Sequence, residues 1–106
     1  MRILSIDQGT SGTKAIVVEG GKTVSLAEVS VHPSHPSPGA VEQDPQELLE
    51  SVISAGRQAL SSAGGAVDVV ALANQGETVL AWDSDSGSSL SPAIVWQDSR
   101  AQVICD

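Results

Sequence analysis

The chain has 106 residues, enough for one domain with a modest core. Five basic against thirteen acidic residues give a net charge of −8, which argues against binding the phosphates of DNA or RNA and against an anionic membrane surface. A single cysteine, Cys105, excludes an internal disulfide framework and fits a reducing compartment, and no apolar stretch approaches the roughly 20 residues of a membrane span.

The hydrophobic residues, 41 % of the chain, are nearly all aliphatic: there are two Trp and no Phe or Tyr. Apolar Ile3, Leu4 and Ile6 read as a short buried strand, and Asp7 stands at its end. The acid also interrupts the apolar run too early for a secretion signal, so the expectation is a cytoplasmic protein. Gly9–Thr13 is then a tight bend of small, mostly hydroxylated residues, followed by the cation Lys14 and a second strand to Glu19. Glycines let a backbone approach a ligand closely, and successive N–H groups in such a bend form an anion-binding concavity. An acid beside it fits if Mg²⁺ stands between carboxylate and phosphate. The same residues also read as a plain hairpin turn, with Asp7 as a turn former and Lys14 as an exposed strand charge.

Gly20-Gly21 signals a hairpin into a third strand over Lys22–Val31, giving an antiparallel meander. Three prolines in His32–Gly39 exclude a helix there, and His32 and His35 lack the further ligands of a zinc site. Asp44 as N-cap, Pro45 at the first helical position and Glu47 three residues after the cap predict a helix. Its apolar residues are Leu48, Leu49, Val52, Ile53, Ala59, Leu60 and Ala63, with Gly56 inside it, and Gly64-Gly65 stops it. Val67–Ala73 predicts a buried strand beside the first, ending in the polar cluster Asn74–Glu77. Thr78–Trp82 predicts another strand and Asp83–Gly87 a turn whose spacing does not fit a calcium loop. Ala93–Trp96 reads as a short strand, and Gln97–Arg100 as the start of a second helix that runs to Asp106, with Asp98 or Ser99 near its cap.

The polar groups thus fall where apolar strands stop: Asp7, Asn74–Glu77 and Trp96–Asp98. In α/β sheets ligands favour the crevice beyond the strand ends, so these three ends converge on one candidate site. Trp96 and Glu77 also read as a core tryptophan and a solvated loop acid; Trp82 and Cys105 read as packing and as an inert thiol.

Asp7-Gln-Gly-Thr-Ser-Gly-Thr-Lys14 resembles the first phosphate motif of the FGGY carbohydrate kinases, which have the ribonuclease-H-like, actin-like ATPase fold. Val41–Pro45, Asn74–Thr78, and Ala93–Gln97 with Arg100 match that family in the same order. The resemblance implies an ATP-dependent kinase of a sugar or polyol, with ATP and Mg²⁺ as cofactors. Thr10, Ser11, Gly12, Thr13 and Lys14 would hold the ATP phosphates and Asp7 the Mg²⁺. Gln75, Gly76, Glu77 and Trp96 would form the substrate wall, with Glu77 accepting from hydroxyls and Trp96 lying against the carbon chain. Glycerol kinases carry an arginine where this chain has Gly76, which implies a bulkier substrate such as a pentulose. Family members are several times longer. Residues 1–106 would then be the N-terminal part of the first, substrate-side domain, with the general-base aspartate, the adenosine pocket and the second domain downstream, and alone they would be inactive. Two other readings are a nucleotide-switch ATPase of the same fold group, which has no use for Glu77 and Trp96, and a small stand-alone binding module. Exposed sheet edges leave room for a homo-oligomer. The kinase reading requires the acid–bend–lysine group and the Glu77–Trp96 pair to face a shared cleft.

Overall fold

The computed structural model describes residues 1–105; the expected end of the last helix at Asp106 lies outside them. Strand β1 (Arg2–Gln8) pairs antiparallel with β2 (Gly12–Glu19), and β2 pairs antiparallel with β3 (Lys22–Ser30). A short β4 (Glu42–Gln43) precedes helix α1 (Pro45–Ala63), and β5 (Val69–Asn74) returns parallel to β1. The main sheet has the order β3-β2-β1-β5. A second, two-stranded sheet joins β4 to β6 (Ala93–Ile94), and a single helical turn, α2 (Gln102–Cys105), follows.

Alternation decides which strand residues face α1. Leu4, Ile6, Ala15, Val17 and Ala27 turn to one side and form the core with Ala55 and Ala59 of the helix. The facing stripe of α1 is small: Ser51, Ala55, Gly56 and Ala59 are buried, whereas Leu49 and Ile53 point outward. The helical spacing is therefore as expected: the centre of the facing stripe is small, which lets the helix lie close, and Val52, Leu60 and Ala63 pack at its margins. A Cβ on Gly56 would sit 3.4 Å from Ile6 Cδ1 and 3.6 Å from Leu4 Cδ2, ordinary contact distances. Gly56→Ala is expected to stabilise the fold by about 1 kcal/mol by removing the helix cost of glycine, and Gly56→Leu to destabilise it by about 1–3 kcal/mol through overpacking. Urea midpoints of the two variants check this; a lower midpoint for alanine would show that no space exists there.

The helix termini follow the sequence signals. Asp44 caps α1 by accepting from Gln46 N at 2.9 Å, and Gly64 closes it in the left-handed conformation (φ 69°) with its N–H on Leu60 O. Glu47 does not reach back to the cap; it accepts from His32 N at 2.5 Å and lies 3.6 Å from His32 Nδ1.

Four expectations need correction. The strand expected to be buried, β5, is exposed along its whole length, because α1 covers β1 to β3 and stops short of it. Thr78–Trp82 is not a strand: it is irregular, with isolated bridges from Val79 to Ile94 and Trp82 to Ser89. Ala93–Trp96 is strand only at Ala93–Ile94, and the second helix starts at Gln102, not near Gln97. Asp98 Oδ1 accepts from Arg100 N at 2.9 Å, ahead of α2, and its carboxylate has further partners, described below.

Candidate functional site

The parallel pairing of β1 and β5 sets Gln8 opposite Asn74, so the two strands end side by side and Gln75 N donates to Gln8 O at 2.9 Å. The bend after β1 is closed by Gly9 N on Gly12 O at 2.9 Å. Gly12 is there for closeness: a Cβ would meet the Val29 carbonyl oxygen at 3.0 Å. Thus β2 begins at Gly12, and the open bend is Gly9, Thr10 and Ser11.

On the sheet face away from α1, Asp7 pairs across the strands with Lys14, and Lys14 with Glu28. With Gly9, Ser11 and Gly12 these side chains line a hollow of about 370 Å³. Lys14 Nζ lies 3.3 Å from Glu28 Oε1, but both groups are more than half exposed, so the pair is weak and an incoming anion can compete for the ammonium. Glu28 is a feature of this hollow that the sequence reading did not include. The bend's N–H groups, one weakly paired lysine and two carboxylates suit a phosphate chain whose charge is shared with a cation that keeps most of its waters. Thr13 turns the other way: its hydroxyl is buried and shares a 2.6 Å hydrogen bond with Ser51 on α1, so only its backbone faces the hollow.

A second hollow, also about 370 Å³, is lined by Gln75, Gly76, Glu77 and Trp96. Trp96 is half exposed, presenting ring to the hollow. Glu77 sits at φ 52°, a left-handed conformation that costs a side-chain-bearing residue about 1–3 kcal/mol, so the loop holds this acid out at some expense to stability. A Cβ on Gly76 would meet nothing within 4 Å, and its backbone does not require glycine. Space, not conformation, is what glycine provides here.

The two hollows are separate among the described residues, so the shared cleft expected for the kinase reading is not formed within this segment. What links them is Thr10, whose neighbours Gly9 and Ser11 line the first. Its hydroxyl accepts from Trp96 Nε1 at 2.8 Å and donates to Gln75 Oε1 at 3.1 Å. Gln43, 1 % exposed, donates to Thr10 O at 2.6 Å and accepts from Gln75 Nε2 at 2.6 Å. Gln43 lies within a stretch that marks the family resemblance, yet nothing in its residue type announced a partner two strands away.

Two residues after Trp96, Asp98 ties its own segment to β4 and the residues beside it. This carboxylate, almost fully buried, accepts from Val41 N at 2.7 Å and from Arg100, which also reaches Glu42 at 2.7 Å. The hydrogen bonds from the Arg100 side chain hold the Asp98 carboxyl far below the usual carboxylate range. A depressed native pKa stabilises the fold above the unfolded value, about 3.9, and that contribution is lost as pH falls below it. Asp98→Asn is therefore expected to lower Tm at pH 7, and the gap to the unmodified chain is expected to narrow at pH 3; an equal gap at both would sever the link to titration.

The meander, helix and parallel fourth strand, with a glycine bend at the first hairpin, define a domain of the actin-like ATPase fold. Residues 2–106 match the N-terminal domain of the FGGY family of carbohydrate kinases, and the chain belongs to that family. It is 43 % identical to a glycerol kinase of Thermus brockianus and 43 % identical to an apulose kinase of Pectobacterium atrosepticum, over 98 % and 97 % of its own length. Among solved structures, a Plasmodium falciparum glycerol kinase with ADP superposes with a TM-score of 0.86 at 31 % identity, over 97 % of this chain. The chain spans 22 %, 21 % and 22 % of the lengths of those three proteins. No helix among the described residues is long and apolar enough to cross a membrane.

Proposed function

We propose that this segment supplies the phosphate bend and one wall of the substrate site of a cytoplasmic, ATP-dependent kinase that transfers the γ-phosphate to a hydroxyl of a sugar or polyol. The observation that carries the reading is Thr10, which belongs to the bend and at the same time holds Trp96 and Gln75. A nucleotide switch would need the bend alone. Gly9–Gly12 backbone and Lys14 would take the phosphates, and Asp7, with Glu28 nearby, would hold Mg²⁺ through its waters. Glu77 would accept from substrate hydroxyls, and Trp96 would give their carbon chain an apolar face. The general base, the adenosine pocket and the other side of the cleft would come from sequence beyond this segment, which forms the N-terminal part of the first domain. Phosphoryl transfer depends on positioning and charge stabilisation from all of these, so residues 1–106 by themselves are expected to show no turnover.

The open space at Gly76 favours a substrate larger than glycerol, such as a pentulose. Relatives with equal identity carry the names of a triol kinase and a sugar kinase, so overall similarity does not decide the matter. The test is a chimera in which residues 1–106 replace the matching segment of the Thermus brockianus glycerol kinase. ATP-dependent phosphorylation of a pentulose with higher kcat/KM than glycerol is expected. Best turnover with glycerol would refute the substrate assignment; a folded chimera that binds neither ATP nor any sugar would refute the kinase reading. The uncovered edge of β5 is also where a second copy of the isolated segment would add.

A further inference from the structure

The hydrogen bonds around Thr10 close on themselves. Gln43 Nε2 holds the Thr10 carbonyl, the Thr10 hydroxyl donates to Gln75 Oε1, and Gln75 Nε2 returns to Gln43 Oε1. Each amide nitrogen and the hydroxyl in this ring donates to the next member, and the second lone pair of the hydroxyl is left for Trp96 Nε1. The ring therefore fixes which way the hydroxyl points, and with it the indole. Gln43 lines neither hollow: it is 1 % exposed, on β4, and its side chain hydrogen-bonds to Thr10 and Gln75, not to Trp96 or the acid–lysine group. A buried amide in a closed ring is also hard to lose piecemeal, since each broken bond strands a partner in a low-dielectric interior.

We propose that Gln43 is a positioning residue that ties the glycine bend to the indole wall, so that a displacement of the bend is transmitted to Trp96 through the Thr10 hydroxyl. The link rests on the kinase reading only for the identity of what fills the two hollows. It makes a prediction about the chain as it stands. In the 106-residue chain carrying Trp82→Phe, Trp96 is the sole indole, and the exchange rate of its Nε1 proton reports the bond to Thr10. Gln43→Leu is expected to speed that exchange roughly three- to tenfold, the effect of weakening one hydrogen bond, although Gln43 makes no hydrogen bond to the indole. Ser25→Ala breaks the 2.7 Å bond from Ser25 to Ala59 O, which lies outside the ring, and is expected to leave the exchange unchanged. If Gln43→Leu does not fold, Gln75→Met opens the same ring from its half-buried member and carries the same expectation. Unchanged exchange in the ring variant, or equal acceleration in Ser25→Ala, would overturn the proposal. Failure to bind ATP or sugar would instead strike the kinase reading and leave the ring result standing.

Discussion

Asp7→Asn in the chimera is expected to lower kcat by on the order of 10²–10³, or about 2.7–4 kcal/mol of transition-state stabilisation, while leaving the fold unchanged. The argument starts from the pleat. Leu4, Ile6 and Gln8 of β1 turn toward α1 and are buried, so Asp7 between them projects from the opposite face and is exposed. It packs against nothing that asparagine would disturb, and surface changes of this kind move stability by about 0.5 kcal/mol or less. Charge is what the substitution removes, at the mouth of the hollow that the bend's N–H groups and Lys14 line. Lys14→Met should cost less, because Lys14 is already shared with Glu28 and is open to water. A loss of activity that tracks a loss of Tm, or an asparagine variant with full activity, would take Asp7 out of the phosphate site. Raising Mg²⁺ should recover part of the Asp7→Asn loss and none of the Lys14→Met loss.

The sequence carried the meander, the capped helix and the order of the polar strand ends because those are local signals. A capping aspartate with proline after it, a double-glycine hairpin and alternating apolar residues each act within a few positions. What it did not carry was who covers whom. Val69–Asn74 has the composition of a buried strand, yet burial depends on the reach of α1, and 19 helical residues laid across three strands do not extend to a fourth. Thr78–Trp82 alternates like a strand but finds no partner ladder, only two bridges. In the site, Asp7, Thr10 and Trp96 stood out by residue type. Glu28, Gln43 and the clamp of Asp98 with Arg100 did not, since their roles come from cross-strand register and from contacts 58 positions apart in sequence. Asp98 or Ser99 was expected near a helix cap because both residue types favour that position. Here the Asp98 carboxylate accepts from Arg100 N and also from Val41 N and the Arg100 side chain, a set no local signal announces.

The uneven cover of the sheet leads to the second large effect. Leu4 and Val70 are register partners, as are Ile6 and Leu72, so all four side chains share the α1 face of the sheet. Yet Leu4 is 4 % exposed and Leu72 is 63 % exposed. Leu4→Ala should therefore cost about 2–5 kcal/mol, lost burial plus the cavity left behind, whereas Leu72→Ala should cost about 0.5 kcal/mol or less. A whole domain holds only about 5–15 kcal/mol, and one strand here contributes little apolar burial, so Leu4→Ala is expected to leave the 106-residue chain largely unfolded at 25 °C by circular dichroism. The comparison also asks whether β5 is bare in solution. If Leu72→Ala costs as much as Leu4→Ala, something covers β5. A second copy would reveal itself by a Tm that rises with protein concentration in the unmodified chain and not in the Leu72→Ala variant.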